Sequence, residues 1–388
     1  MEAYLDNSAT TRVSQPVREL CDRLMTEEFG NPSSAHLVGV HAENYIKQAR
    51  SRIAATLKAK EDEIFFTSGG TESNNWALIG TALKKQRSGK HIITSAIEHP
   101  SVHQPLLFLQ ELGYEITFLP VDESGHVSVE DLRSALRPDT ILVSIMYVNN
   151  ELGAVEPIGE IGRVIAEHNR ESAVKTVFHV DAIQAYGKFR IRPKTLGVDL
   201  LSVSGHKLHA PKGTGFLYVK SGTKLQPILM GGGQQKGMRS GTDNVPGWAA
   251  LGLACELAYT DFDEKIAHIR AMKEKLFDGL SAMEGTHLNS SRDEGAPQIV
   301  SCAFEGVRSE VLLHALEEKG VYVSAGSACS TNKKLPVSSV LEEIHLERSL
   351  AEGTLRFSLC EETAEEEIDW ALSAVGELLP VLRKYTRR

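Results

Sequence analysis

A lysine and a cysteine stand out because each sits among small and hydroxyl-bearing residues rather than on an apolar face. Lys207 ends the run Ser202-Val203-Ser204-Gly205-His206-Lys207, which passes into Leu208-His209-Ala210-Pro211-Lys212-Gly213-Thr214-Gly215. A lysine just beyond a strand end lies where open α/β sheets bind ligands. Unprotonated, it can attack a carbonyl to form a Schiff base. The competing reading is an ordinary surface lysine in a turn, and the neighbouring motifs decide between the two. His179-Val180-Asp181-Ala182-Ile183-Gln184 places an aspartate at the end of another apolar strand. A carboxylate buried there needs a partner. The protonated ring nitrogen of pyridoxal phosphate would supply one and keep the ring able to take up electrons. The alternative is an aspartate capping a helix that begins at Ala182.

Cys329 lies in Ser324-Ala325-Gly326-Ser327-Ala328-Cys329-Ser330-Thr331-Asn332, where nothing is bulky or periodic. A polar loop is a poor place for a structural thiol and a good one for a nucleophile, and Lys333 and Lys334 favour the thiolate. The chain has five cysteines, and the other four read as small buried hydrophobes. Cys21 and Cys255 sit on apolar helical stripes, Cys302 alternates on a strand, and Cys360 ends one.

Thr67-Ser68-Gly69-Gly70-Thr71-Glu72-Ser73 joins a strand to a helix, and glycines before a helix N-terminus let a phosphate reach free N–H groups. Thr71 could equally cap that helix. His99, in Glu98-His99-Pro100-Ser101, could stack on a flat cofactor and serve as acid or base, or simply lie exposed. Asn149-Asn150-Glu151 again follows a strand, while Gly231–Gln234 and Arg239–Asn244 read as loops rich in turn residues.

The elements that must position these residues alternate. Strands are predicted at 64–67, 91–94, 115–119, 140–148, 177–180, 200–203 and 215–219, with helices near 71–84, 102–112 and 158–168. Such alternation implies a mostly parallel sheet with helices on both faces. A long helical stretch over 246–283, broken near Thr260-Asp261, leads to a smaller unit of β-α-β-α-β-α order. Length and composition agree. The 388 residues suffice for two domains, and 42 basic against 51 acidic residues leave a net charge of −9, which disfavours direct binding to nucleic acid. Hydrophobic residues make up 41%, without a membrane-length apolar run or a signal-peptide pattern. An odd number of scattered cysteines without a CxxC fits a reducing, cytoplasmic setting. No metal is expected.

Together these motifs resemble the fold-type I pyridoxal-phosphate enzymes, and more closely the cysteine desulfurases of the NifS/IscS type among the class V aminotransferases. The resemblance covers essentially the whole chain. It runs from Asp6-Asn7-Ser8-Ala9-Thr10-Thr11 and Gly30-Asn31-Pro32-Ser33-Ser34-Ala35-His36 through the motifs above to Leu355-Arg356-Phe357-Ser358. It implies an α/β fold with a mostly parallel seven-stranded sheet and helices on both faces. Residues 15–258 would form the large cofactor domain, and 1–14 with 259–388 a smaller C-terminal α/β domain carrying the cysteine loop at about 324–336.

The resemblance also implies roles. Lys207 would hold pyridoxal phosphate and move protons, Asp181 would pair its ring nitrogen, and Gln184 would bond its phenolic oxygen. His99 would stack on the ring; Gly70, Thr71, Ser204 and His206 would cradle the phosphate; and Thr242 would reach it from the other subunit of a homodimer. Arg356 and Asn150 would bind the carboxylate of L-cysteine, with Asn31 close by. Cys329 would take the substrate sulfur as a persulfide and pass it to an acceptor protein of iron–sulfur assembly or of thio-cofactor or tRNA thiolation. The loop matches the long-loop subgroup. Gly205 and Ala210 depart from the family pattern, which usually has alanine and glycine there. Another fold-type I enzyme (an aminotransferase, a C–S lyase or a selenocysteine lyase) is the alternative, and a catalytically silent scaffold is a further one.

Overall fold

The computed structural model describes residues 1–325 and 337–385. Among the described residues thirteen strands are numbered: β1 Ala3–Tyr4, β2 Ile64–Thr67, β3 His91–Ser95, β4 Glu115–Leu119, β5 Thr140–Met146, β6 Val177–Asp181, β7 Leu200–Ser204, β8 Gly215–Val219, β9 Thr286–Leu288, β10 Ile299–Phe304, β11 Val321–Tyr322, β12 Ser324–Ala325 and β13 Thr354–Ser358. Seven form one sheet in the order β2-β8-β7-β6-β5-β3-β4. Only β8 runs against its neighbours β2 and β7; the β7-β6-β5-β3-β4 pairs are parallel.

Every residue of β5, β6, β7 and β8 is buried, because helices cover both faces of a sheet built from crossover connections. On β8 the period-two alternation sends Phe216 and Tyr218 into one apolar cluster and Leu217 and Val219 into the other. Each buried side chain of this size contributes about 1.5–3 kcal/mol. Helices Gly70–Lys85, Pro100–Glu111 and Ile158–Glu171 match expectation, the second starting two residues early because Pro100 suits a first helical turn and His99 caps it. The long helical stretch breaks as predicted into Val245–Tyr259 and Phe262–Ser281, with Asp261 left-handed between them at φ 50°. Helix Leu37–Leu57, which no sequence motif singled out, covers the first cluster through Ala42, Ile46, Ala49 and Ile53.

A second sheet, β12-β13-β10-β9, is wholly antiparallel, and β1 pairs in parallel with β11. Ala3 and Leu5 therefore belong to the apolar cluster formed by residues between Ile269 and Leu379. The N-terminus is thus stitched to the C-terminal portion of the chain, and Ser8 and Ala9 continue from it towards Lys207. Among the described residues no helix is long and apolar enough to cross a membrane.

Candidate active site

The strands β2, β3, β5, β6 and β7 all point their C-terminal ends to one side, and a cavity of about 260 Å³ opens there. Its size is near the lower end of small-molecule sites, which start at roughly 300 Å³. Gly70 and Thr71 enter from β2, His99 from β3, Asn150 from β5, Asp181 and Gln184 from β6, and Ser204, His206 and Lys207 from β7. Arg356, from the middle of β13, closes the cavity from the second sheet. Ten of the residues singled out from sequence therefore meet in one place.

The remaining three do not join them. Asn31 is exposed, is not part of the cavity wall, and uses its side-chain oxygen to accept from the Ser33 N–H at 2.9 Å. Thr242 is exposed and also lies outside the wall of this chain's cavity. Cys329 lies outside the described residues.

The corner at the start of helix Gly70–Lys85 follows from local structure. Gly69 is the helix N-cap at φ 150°, so Thr71 lies within the first turn rather than capping it. The first N–H groups of this helix have no intrahelical acceptor. Gly215 pairs with both Thr67 and Ser204; a Cβ there would lie 2.6 Å from the Val203 carbonyl oxygen and 2.7 Å from Gly69 Cα. Only glycine lets β8 begin so close to the turn. Glu72, in the same first turn, accepts two bonds from Arg239 at 2.9 and 3.1 Å and anchors the 231–241 loop.

Asp181 is 5% exposed and does not cap a helix, since residues after it form a turn. Its Oδ1 accepts from the Ile183 N–H at 3.0 Å and its Oδ2 from Asn74 Nδ2 at 2.7 Å. Burial pushes its pKa up, against the lowering pull of these bonds, His99 and Lys207. Asn74 Nδ2 also lies 2.9 Å from Ser101 Oγ, which in turn sits 2.8 Å from His99 Nδ1. A buried chain of polar contacts thus runs from the aspartate to the histidine. His99 Nδ1 also accepts from the Ser101 N–H at 3.1 Å, so in the neutral ring the proton sits on Nε2. Burial lowers the His99 pKa, with Lys207 adding and Asp181 opposing. His206 falls to about 4 by burial and by Lys207 and Lys212, so it is neutral at neutral pH. Beneath them Glu98 accepts from Ser95 Oγ at 2.7 Å and Met146 N–H at 2.8 Å, and burial raises its pKa well above the carboxylate range.

Lys207 Nζ donates to the Ala9 carbonyl at 2.7 Å and also to that of Ser8. Gln184 Nε2 donates to the Ser8 carbonyl at 3.0 Å. Arg356 is 5% exposed; its Nη2 donates to Asp6 Oδ1 at 2.8 Å and its Nη1 to the Asn150 carbonyl at 2.8 Å, while its buried Nε has no partner. Asn74, Ser101, Ser8 and Ala9 are site residues that sequence reasoning missed. Asn74 offered one signal, lying one helical turn after Gly70 and Thr71.

These residues fit pyridoxal phosphate. A desolvated carboxylate faces the cavity, a glycine-flanked helix N-terminus borders it, and Ser8 Oγ and Arg356 Nε are buried there without partners. The chain is 44% identical over 380 residues to a protein of Methanosarcina thermophila named cysteine desulfurase IscS, covering 98% of this chain and 92% of that one. A solved structure titled NIFS-like protein superposes with a TM-score of 0.92 at 37% identity, covering 98% of this chain and all (100%) of the other. Another, titled SspA in complex with cysteine, gives a TM-score of 0.81 at 36% identity, covering 93% and 100% of the two chains. The aminotransferase class-V family model matches residues 3–370. A strand-end lysine, a buried aspartate and a glycine-flanked helix N-terminus thus meet on a mostly parallel sheet, and the chain belongs to the aminotransferase class-V family.

Proposed function

We propose that this chain is a pyridoxal-phosphate-dependent cysteine desulfurase, which converts L-cysteine to L-alanine and leaves the sulfur as a persulfide on Cys329. The observation that carries this reading is the joining of Lys207, Asp181, His99 and Arg356 around one cavity. The likeness to cysteine desulfurases over 98% of the chain supports it.

When bound, the cofactor supplies an electron sink for carbon–hydrogen and carbon–sulfur bond cleavage at the substrate. The side chains supply the rest. Asp181, Gln184 and His99 line the cavity, where Asp181 would pair the ring nitrogen and hold its proton, Gln184 would bond the phenolic oxygen and His99 would stack on the ring. The Gly70–Thr71 N–H groups, Ser204 and neutral His206 would donate to the phosphate. Arg356, already oriented by Asp6 and the Asn150 carbonyl, would bind the substrate carboxylate. Lys207 Nζ takes the proton from the substrate Cα and returns one. Cys329 thiolate then attacks the substrate sulfur. The S–S bond forms as the C–S bond breaks, and the electron pair left on carbon is protonated to give alanine.

Residues 15–258 form the cofactor domain in this reading, and 1–14 with 259–388 the small one; the cluster that joins Ala3 and Leu5 to residues between Ile269 and Leu379 supports the division, while Ala296, Ile299 and apolar residues between Val337 and Ala351 pack into the first cluster and dock the two parts together. The enzyme is read as a cytoplasmic homodimer. Phe29, Leu37 and Met230 are exposed, and Thr242 stands outside its own cavity, as a residue serving the partner's phosphate would. The sulfur acceptor is a protein of iron–sulfur assembly or of thiolation.

Cys329→Ala is the test. It should abolish sulfide and persulfide formation from L-cysteine while leaving the cofactor's visible absorbance intact. Wild-type turnover in that variant would sink the persulfide step and favour another fold-type I activity.

A further inference from the structure

Outside the cavity, His209, Cys360 and Glu361 bring an imidazole nitrogen, a thiol sulfur and a carboxylate oxygen within 4.8 Å of one another. They are far apart in the chain. His209 follows Lys207 in the turn after β7, and Cys360 and Glu361 follow β13, which carries Arg356. His209 is 7% exposed and Cys360 is 6% exposed.

His209 is held from two sides. Its backbone N–H donates to Thr11 Oγ1 at 2.8 Å, and its Nδ1 lies 2.8 Å from the Arg12 carbonyl. A carbonyl only accepts, so Nδ1 carries a proton and in the neutral ring Nε2 offers a lone pair. This buried Nε2 has no hydrogen-bond partner and lies 3.5 Å from the Glu361 carboxylate. An outer acceptor on Nδ1 with Nε2 turned towards the Glu361 carboxylate and the Cys360 thiol is the arrangement of a metal-binding histidine.

We propose that His209, Cys360 and Glu361 form a binding site for Zn²⁺ or a similarly borderline-soft divalent cation. The donor set of nitrogen, sulfur and oxygen suits zinc. Zinc bond lengths of about 2.0–2.3 Å place two tetrahedral ligands roughly 3.3–3.7 Å apart, so the 3.5 Å between His209 Nε2 and Glu361 already matches. A pocket of about 10 Å³, lined by Cys360, Lys188 and Lys207, lies beside the cluster and is roughly the size of one water. A bound ion would tie the lysine-bearing turn to the arginine-bearing strand, so its role is to clasp the two sheets together. Without the ion, the same groups make an ion-pair cluster, since Lys188 Nζ is 3.1 Å from Glu361 Oε2. The Lys188 charge opposes a dication, and that opposition gives the experiment a sign.

The experiment titrates holoenzyme carrying Cys329→Ser, freed of metal with a chelator, with Co²⁺. Cobalt d–d bands fall at longer wavelength than cofactor absorption. One Co²⁺ per chain should bind with a sulfur-to-metal charge-transfer band, be displaced by Zn²⁺, and raise the melting temperature. Cys360→Ser and His209→Ala should each weaken binding by roughly tenfold or more and lose the thermal shift. Lys188→Met should tighten it by roughly threefold or more, since a nearby positive charge is removed. Sub-stoichiometric binding, a band unchanged in Cys360→Ser, or Lys188→Met binding no tighter than the parent would each overturn the site.

Discussion

Replacing Asp181 with asparagine should separate cofactor binding from folding. The carboxylate is 5% exposed, accepts bonds from Asn74 and the Ile183 N–H, and lines the cavity where the cationic ring nitrogen of the cofactor would pair with it. Opposite charges in hydrogen-bond contact, about 3 Å apart, attract by about 5–6 kcal/mol at an effective dielectric constant of about 20. Removing one partner of such a buried pair typically costs about 3–5 kcal/mol. The cofactor dissociation constant should therefore rise by roughly 10²–10³-fold, and turnover should fall at least as far because nothing holds the ring-nitrogen proton. The cofactor-free protein should behave differently. There the substitution relieves a desolvated carboxylate, although Asn74 then faces a second amide, so its melting temperature should change little. Equilibrium dialysis monitored by cofactor absorbance, with calorimetry on loaded and cofactor-free protein, measures both. Near-wild-type affinity and turnover would refute the pairing. A loss of several kcal/mol in the cofactor-free form would instead make Asp181 a structural residue.

Three further outcomes are expected. Arg356→Lys keeps the charge but loses the planar fork, so kcat/KM for L-cysteine should drop by roughly 10²-fold with the cofactor spectrum unchanged; steady-state kinetics on the two proteins decides it. A Cβ at Gly205 would lie 2.3 Å from Thr214 Oγ1 and 3.1 Å from Ala210 Cβ, so Gly205→Ala should destabilise by about 1–3 kcal/mol. Adding Ala210→Gly should recover part of that loss in a denaturation double-mutant cycle, whereas strict additivity would refute the coupling. Burial raises Glu156 from 4.5 to about 8, against a bond from the Val127 N–H. The folded form then keeps its proton where the unfolded form loses it. Any advantage is full below pH 4.5 and disappears by about pH 8, a swing on the order of 5 kcal/mol. Glu156→Gln should flatten that decline in melts across the pH range.

The two positions that depart from the resemblance lie side by side, since a Cβ at 205 would meet Ala210 Cβ at 3.1 Å, although Thr214 Oγ1 at 2.3 Å and Leu251 Cδ1 at 3.0 Å stand closer. No chemistry changes, which is why neither carries a role in the site.

Strands and their order along the chain were legible because a doubly covered sheet demands continuous apolar runs, as in Thr140–Met146. Thr140–Val148 read as two residues too long because Val148 is apolar and buried while pairing only through an isolated bridge to Val155. The cysteines were mostly legible too: Cys255, Cys302 and Cys360 are buried, and burial holds the first two near pKa 12. Cys21 differs, being only half-buried at the edge of the first cluster, because an apolar helical stripe tells which way a residue faces and not how far the covering reaches.

What the sequence determined by itself was local: which residues could act as nucleophile, base or phosphate donor, and that each follows a strand. Strand ends announce themselves through apolar runs and turn residues. The tertiary structure alone decided the lateral contacts. Asn74 and Ser101 link Asp181 to His99 across three connections of the sheet, Ser8 and Ala9 arrive at Lys207 from the N-terminus, and Arg356 enters from a different sheet. No spacing encodes such contacts, because strand order and the docking of one sheet on another arise from burial summed over the whole chain.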